Sequence, residues 1–218
     1  MGPVVTSSLL DQLATMPVLA ILRSGTGAYL GSAAAALVEC GVTCVEVTVP
    51  TPGSADVVED LSRMPGAYVG MGTVRSVSDL DTAVGAGARF VVSPHTDVDL
   101  IRAAVDRGLE AVPGAMTPSE VVAAVDAGAT AVKLFPASHL GPGYLSALRA
   151  PLPDVPFIAT GGIGLTDVGE WIAAGAVGFG VGSPLVGDAI ETGGLEALRS
   201  RARAWVDGTR ASVPQDES

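Results

Sequence analysis

The sequence predicts an α/β protein, a single (β/α)8 TIM barrel, and three observations support this prediction. The chain has 218 residues, a length that such a barrel commonly uses as one domain. Short apolar runs alternate with helix-like segments along the chain. Several of these runs follow a glycine placed where a helix would end, which is the usual position of a left-handed helix cap.

Eight apolar runs are candidate strands, at residues 18–22, 44–49, 68–74, 90–93, 110–113, 131–136, 157–160 and 177–183. Continuous runs of Val, Ile and Phe are typical of parallel strands that are buried on both faces. Eight strand–helix units in a chain of this length favour a closed barrel. An open, doubly wound sheet is the alternative, but no G-x-G-x-x-G motif follows the first run.

Helix starts lie between the candidate strands. The segment 117–120 (TPSE) combines a capping threonine, a proline at the first helical position and a glutamate three residues after the cap. No linker divides the chain, so we expect one barrel domain over residues 1–208. Residues 209–218 are polar, and we expect them to form a disordered tail.

Composition limits the classes of function. The chain is 48% hydrophobic and 16% charged, which excludes a disordered protein. Its net charge of −11 argues against nucleic acid and anionic membranes as partners. The start of the chain lacks the basic region of a signal peptide, and no apolar run reaches the roughly 18 residues of a membrane span. We therefore expect a cytoplasmic protein.

Neither a disulfide nor a metal site is expected. Cys40 and Cys44 lack the C-x-x-C spacing, and two thiols do not make a disulfide framework. His95 and His139 are isolated, with no carboxylate at zinc-like spacing from either one. We therefore expect the protein to need no metal and no other cofactor.

The ends of the candidate strands carry the residues expected to do chemistry. In barrels of this kind, the active site forms at the carboxyl ends of the strands. The residues at or near those ends are more polar than the strands themselves, and the candidates for catalysis and substrate binding are Arg23, Glu46, Thr73, Pro94, Lys133, Thr160, Gly161, Gly162, Gly182 and Ser183.

Lys133 is the strongest candidate for catalysis. It is the only lysine among 12 lysine and arginine residues, and it lies within an apolar strand pattern. An amine in an apolar pocket can lose its proton and act as a nucleophile, whereas a guanidinium stays charged. The alternative is a structural lysine that forms an ion pair or extends its amine to solvent.

Glu46 and Arg23 are candidate partners. Strand alternation places Glu46 on the face opposite its valine neighbours, inside the barrel, where it would act as general acid/base beside Lys133. A purely structural ion pair between the two is the alternative. Arg23 ends the first strand, where it would bind a carboxylate or phosphate, although a surface arginine would look the same.

Two glycine-rich turns, at residues 160–164 and 180–183, follow the last two candidate strands. Free backbone amides in such turns make an anion site, and the loops after strands 7 and 8 often hold phosphate in barrels. Thr73 follows a third glycine-rich stretch. Its hydroxyl would bind a substrate carboxylate or satisfy its own turn.

With these motifs in place, the chain resembles a known enzyme family. From about residue 17 to 206 it is similar to the 2-keto-3-deoxy-6-phosphogluconate (KDPG) / 4-hydroxy-2-oxoglutarate aldolases, which are class I, Schiff-base-forming enzymes. The motifs that carry the resemblance are AILR (20–23), VEVT (45–48), GMGTV (70–74), VSPH (92–95), VPGAMTP (112–118), VKLFPA (132–137), LGPGY (140–144), TGGI (160–163) and GVGS (180–183).

The resemblance implies a role for each matching residue. Lys133 would form the Schiff base, Glu46 would be the acid/base, and Thr73 would contact the pyruvate portion of the substrate. The phosphate end would lie near Gly162, Gly182 and Ser183. The resemblance also implies a cytoplasmic homotrimer that acts on a small phosphorylated 2-keto acid.

Pro50 is a departure from the family pattern, because some members carry an arginine there that helps to hold the substrate. Arg23 would then take over anion binding, as in phosphogalactonate-type members. The expected reaction is cleavage of a 2-keto-3-deoxy-6-phospho sugar acid to pyruvate and glyceraldehyde 3-phosphate. The alternatives are 4-hydroxy-2-oxoglutarate as substrate, a sugar-phosphate isomerase or epimerase, and a non-catalytic binding barrel.

Overall fold

The computed structural model describes residues 8–212 and confirms the predicted barrel. Its strands are β1 (Val18–Leu22), β2 (Cys44–Thr48), β3 (Tyr68–Gly72), β4 (Phe90–Val92), β5 (Glu110–Val112), β6 (Gly114–Ala115), β7 (Val132–Leu134), β8 (Phe157–Thr160) and β9 (Ala176–Val181). Its helices are α1 (Leu9–Thr15), α2 (Leu30–Glu39), α3 (Ser54–Ser62), α4 (Val77–Gly85), α5 (Val98–Asp106), α6 (Pro118–Asp126), α7 (Ala137–Leu140), α8 (Pro142–Arg149), α9 (Val168–Ala173), α10 (Ser183–Val186), α11 (Ala189–Thr192) and α12 (Leu195–Ser212), with a 3-10 turn at Leu165–Asp167.

All paired strands are parallel, in the order β5-β4-β3-β2-β1-β9-β8-β7-β6. The two edge strands, β5 and β6, are separated only by Pro113, which lacks an amide N–H to donate. The predicted fifth strand, residues 110–113, corresponds to β5, and β6 continues the same barrel position beyond Pro113. The Lys133 amide still donates to the Pro113 carbonyl at 2.9 Å, so the ring of eight strand positions closes there.

Strand alternation divides the apolar side chains into two cores. The larger core lies between the strands and the surrounding helices, and Val45 and Val47 belong to it. The smaller core fills the amino-terminal end of the barrel, where Phe90 and Ile158 pack against Leu9 and Leu13 of α1. Helix α1 therefore plugs the end of the barrel opposite the predicted active site.

A polar contact fixes α1 in this position. The Glu110 carboxylate accepts hydrogen bonds from the Leu9 amide at 3.0 and 3.1 Å and from the Tyr68 hydroxyl. The first amides of a helix have no hydrogen-bond partner within the helix. A carboxylate at this end accepts a hydrogen bond from one of them, and its negative charge interacts favourably with the positive end of the helix dipole. Glu110, predicted only as a strand residue, thus joins the barrel wall to its plug.

The predicted domain boundary needs a correction at its end. Residues 209–212 continue α12, and Thr209 is buried, with its hydroxyl donating to the Trp205 carbonyl at 2.7 Å. The helix continues because Thr209 lies on its buried face, which composition alone does not reveal. The rest of the predicted tail, residues 213–218, lies outside the described residues. Among residues 8–212, no helix is both long and apolar enough to cross a membrane.

Candidate active site

Lys133 lies in the middle of β7 with its side chain in the barrel interior. Its neighbours Val132 and Leu134 belong to the larger core, between the strands and the helices. Strand alternation therefore turns the amine of Lys133 towards the barrel interior. Only 8% of the residue is exposed. Its Nζ lies 5.1 Å from the centre of the Phe135 ring, a favourable cation–π distance when the amine is charged.

Glu46 enters the same interior from β2 and is 1% exposed, as alternation predicts. Its Oε2 is buried and has no hydrogen-bond partner among residues 8–212. Gly72 of β3 provides the space for the other carboxylate oxygen, because a Cβ at residue 72 would lie 1.7 Å from Glu46 Oε1. A buried carboxylate oxygen without a partner is costly in a structural residue, and in an active site it is free to contact a substrate.

Burial shifts the pKa values of both groups towards their neutral forms. It raises the pKa of Glu46 above 4.5, and the positive charges of Lys133 and Arg23 oppose this in part. It lowers the pKa of Lys133 below 10.5, an effect that Glu46 opposes and Arg23 reinforces. A larger fraction of the amine is therefore neutral, and nucleophilic, near neutral pH.

Lys133 and Glu46 affect each other's charge without direct contact. The four ion pairs within residues 8–212 do not include this pair, and all four involve arginine. The alternative of a purely structural ion pair therefore lacks the contact that it requires. The amine and the carboxylate are instead buried in the same interior without pairing, so both can interact with a substrate.

Arg23 and Thr73 meet at the mouth of the barrel. The Arg23 guanidinium donates to the Thr73 hydroxyl at 3.0 Å, although the residues are far apart in sequence. Thr73 has a φ of 58°, unusual for a β-branched residue and typical of strained positions near functional sites. Pro94 lies shortly after β4, two strands from β2, and is half-buried. Its carbonyl packs closely against Gly114 of β6.

The two glycine-rich turns lie side by side, because Thr160 of β8 pairs with Gly180 of β9. The Thr160 hydroxyl occupies the space over Gly180, where a Cβ would lie 2.4 Å from Thr160 Oγ1. Gly161 and Gly162 have φ values of 97° and 74°, which L-amino acids rarely adopt. Gly182 and Ser183 follow β9, with Ser183 exposed.

Sequence reasoning missed Phe135 and Gly72 as parts of the site. Phe135 lies against both Lys133 and the backbone of Gly161. Its position two residues after Lys133 is a signal that strand alternation could have supplied. Nothing local marks Gly72 as the residue that makes room for Glu46, because that contact joins two strands.

Comparisons with known proteins agree with this geometry. Residues 9–200 match the family described as KDPG and KHG aldolase, where KHG is 2-keto-4-hydroxyglutarate. The chain is 35% identical to a probable 2-dehydro-3-deoxy-6-phosphogalactonate aldolase of Rhizobium meliloti, over 86% of this chain and 89% of that protein. It is 34% identical to the 2-dehydro-3-deoxy-6-phosphogalactonate aldolase of Escherichia coli, over 91% of this chain and 97% of that protein.

A solved structure extends the similarity to the fold. The KDPG aldolase of Legionella pneumophila, described with pyruvate captured at low pH as a covalent carbinolamine intermediate, superposes with a TM-score of 0.80 at 28% identity. The alignment covers 90% of this chain and 97% of that one. The family match, the relatives and the shared barrel lead to one conclusion: this chain belongs to the KDPG and KHG aldolase family and is a carbon–carbon lyase.

Proposed function

We propose that the protein cleaves a 2-keto-3-deoxy-6-phospho sugar acid to pyruvate and glyceraldehyde 3-phosphate through a Schiff base on Lys133. The observation that carries this proposal is the only lysine of the chain, buried in the barrel beside a buried carboxylate with which it forms no ion pair. The lowered pKa of Lys133 supplies the neutral amine that the first step needs.

Lys133 begins the reaction by attacking the C2 ketone of the substrate. The carbinolamine loses water and gives an iminium, which serves as an electron sink. Glu46 takes the proton of the C4 hydroxyl, directly or through water, the C3–C4 bond breaks, and its electrons form an enamine. Glyceraldehyde 3-phosphate leaves, C3 of the enamine gains a proton, and water releases pyruvate from Lys133.

Glu46 is suited both to accept the proton of the C4 hydroxyl and to return a proton later in the reaction. Burial raises its pKa above that of an exposed glutamate, so the carboxylate is a stronger base that can accept a proton and return it within one cycle. The Oε2 atom without a partner is available for the substrate hydroxyl or a water. Both arguments depend on the burial of Glu46 beside Gly72.

The remaining site residues bind the two ends of the substrate. Arg23 and Thr73, already joined by a hydrogen bond, would hold the carboxylate next to the keto group. The phosphate would bind at the adjacent turns through amides and hydroxyls of Thr160, Gly161, Gly162, Gly182 and Ser183. Pro94 would contribute an apolar wall near the reacting carbons.

Among phosphorylated substrates, we place the galacto configuration at C4 first. Relatives that are 35% and 34% identical are named 2-dehydro-3-deoxy-6-phosphogalactonate aldolases. Pro50 removes one possible arginine from the loop after β2, and Arg23 supplies a guanidinium from β1 instead. A pyruvate-release assay with the phosphogluconate, phosphogalactonate and hydroxyglutarate substrates measures this preference as a ratio of kcat/KM values.

Trapping with borohydride tests the mechanism. Incubation with pyruvate and borohydride should add one reduced pyruvyl group, which peptide mapping should locate on Lys133. Lys133→Arg should abolish both the adduct and aldol cleavage, because a guanidinium is not a nucleophile at working pH. An intact wild-type chain that takes up no adduct would overturn the mechanism.

A further inference from the structure

We propose that Thr51 is a positioning residue for Arg23, because it ties the loop after β2 to the loop after β1. No substrate contact is assigned to Thr51 itself. The inference rests on the proposed function, in which Arg23 binds the carboxylate of the 2-keto acid. Thr51 acts by fixing the backbone from which Arg23 projects.

The hydroxyl of Thr51 joins two loops of the barrel mouth. Thr51 is 2% exposed, so this hydroxyl does not serve solvent. Its Oγ1 lies 2.8 Å from the Oγ1 of Thr48, at the end of β2, within hydrogen-bond distance. The same Oγ1 accepts the backbone N–H of Ser24 at 3.2 Å. One buried atom thus connects β2 to the residue that directly follows Arg23.

Ser24 extends this connection into its own loop. Its Oγ accepts the amides of Thr26 and Gly27, at 3.1 and 3.0 Å. The two loops also touch at a second point. Gly27 has a φ of 66°, and a Cβ there would lie 2.2 Å from the Pro52 carbonyl oxygen. The contact through Thr51 and the contact through Gly27 use different atoms, and both hold the loops together.

Arg23 needs such support because its side chain is long and exposed. Within residues 8–212, its guanidinium makes one hydrogen bond, to the Thr73 hydroxyl at 3.0 Å. A long side chain loses considerable rotamer freedom when it binds a ligand, and a fixed backbone reduces what remains to be ordered. Because the Ser24 amide belongs to the peptide unit after Arg23, the Thr51 hydroxyl constrains the direction in which Arg23 leaves the strand.

The test measures how much pyruvate is needed for borohydride trapping on Lys133. Thr51→Val keeps the shape of the side chain but removes the hydroxyl. It should raise the half-saturating pyruvate concentration about 3- to 10-fold, the range expected when one hydrogen bond stops orienting a ligand contact. Trapping at saturating pyruvate should remain at the wild-type level, since Lys133 is unchanged. Thr51→Ser keeps the hydroxyl and should bind pyruvate like the wild type.

A matched control separates positioning from a general loss of stability. Thr209 is a fully buried threonine in α12, and its hydroxyl donates to the Trp205 carbonyl at 2.7 Å. Thr209→Val removes an equally buried hydroxyl from a helix outside the barrel strands. It should leave the half-saturating pyruvate concentration unchanged. An increase equal to that of Thr51→Val would overturn the proposed role of Thr51.

A double-mutant cycle tests whether Thr51 acts through Arg23. Arg23→Met removes the guanidinium and should itself weaken pyruvate binding. If Thr51 acts through Arg23, Thr51→Val should cause no further rise in the half-saturating pyruvate concentration when Arg23 is already replaced by Met. An equal, additive effect of Thr51→Val in both backgrounds would overturn the proposal.

Gly27→Ala keeps the test decisive if Thr51→Val does not fold. It preserves every hydroxyl but forces the two loops apart at Pro52, so the half-saturating concentration should rise as for Thr51→Val. An unchanged value would overturn the proposal. Failure of the wild type to trap pyruvate would instead overturn the proposed function, whereas trapping that is equal in the wild type and all loop variants would overturn only the role of Thr51.

Discussion

At the scale of single residues, the site depends on two ionisable groups that are buried close together without direct pairing. Removing a charge from water costs several kcal/mol, and a direct ion pair is the usual compensation. Lys133 and Glu46 compensate instead by shifts of their pKa values towards the neutral forms. This arrangement sacrifices some stability and keeps one nucleophile and one proton acceptor available.

The lowered pKa of Lys133 predicts the pH dependence of pyruvate trapping. Imine formation requires the neutral amine, so its rate rises with pH and levels off above the pKa of the amine. The midpoint should therefore lie below 10.5, the ordinary value for lysine. Rates of borohydride trapping measured across the pH range give this midpoint.

Glu46→Gln should move that midpoint to lower pH. The Glu46 carboxylate favours the protonated amine and thus raises the pKa of Lys133, an effect that the neutral amide lacks. Asp56→Asn removes one exposed carboxylate from α3 and serves as the control, with no expected change. A midpoint that moves to higher pH in Glu46→Gln would show that the two charges do not interact as described.

Gly72→Ala should impair catalysis while leaving the nucleophile in place. Its new Cβ would lie 1.7 Å from Glu46 Oε1, so the carboxylate must move away. We expect kcat for aldol cleavage to fall about 100-fold, as for other small misplacements of a catalytic group. Pyruvate trapping on Lys133 should continue. Gly85→Ala in α4, where no atom of the described part of the chain lies within 4 Å of the new Cβ, is the control. Full kcat in a folded Gly72→Ala protein would contradict the role of Gly72.

At the scale of elements, the two ends of the barrel perform separate tasks. The carboxyl ends of the strands carry the polar site, and α1 closes the opposite end with Leu9 and Leu13. The break at Pro113 divides one barrel strand into β5 and β6 without opening the ring. Substitutions in α1 should therefore change the free energy of unfolding, whereas substitutions at the carboxyl ends of the strands should change kcat.

Leu13→Ala tests this separation. Leu13 is 1% exposed and packs over Gly178 of β9. Its truncation should lower the free energy of unfolding by about 3 kcal/mol, through lost burial and the cavity that remains. Urea denaturation measures this loss, and kcat should stay close to wild type. Leu10→Ala, at a half-buried position of the same helix, should cost less. A large fall in kcat for folded Leu13→Ala would show that the two ends are coupled.

At the scale of the whole molecule, the acidic charge limits how copies of the chain can associate. Each chain carries a net charge of −11. Like charges repel across an interface, and salt screens this repulsion. Contacts between copies must therefore avoid the acidic surface or bury enough apolar area to overcome it.

The homotrimer implied by the family resemblance remains a prediction. Light scattering coupled to size-exclusion chromatography should give a mass three times that of one chain at physiological salt. Because the chains repel each other, dilution at low salt should favour dissociation, and added salt should reverse it. A monomer mass under all conditions would rule out the trimer.

Sequence alone determined the strand pattern and the central residues of the site. Apolar runs and glycine caps are local signals, and they located the eight strand positions of the barrel. Lys133 was identified because it is the only lysine, and Glu46 because strand alternation directs it inward.

Features that depend on contacts between distant segments are visible only in the folded barrel. The space that Gly72 leaves for Glu46, the absence of an ion pair with Lys133 and the link from Thr51 to Ser24 each join different strands or loops. The break at Pro113 and the buried position of Thr209 likewise follow from pairing and packing. Periodicity reports which face a residue occupies, but not which residue of another segment faces it, because that partner is set by strand register and barrel closure.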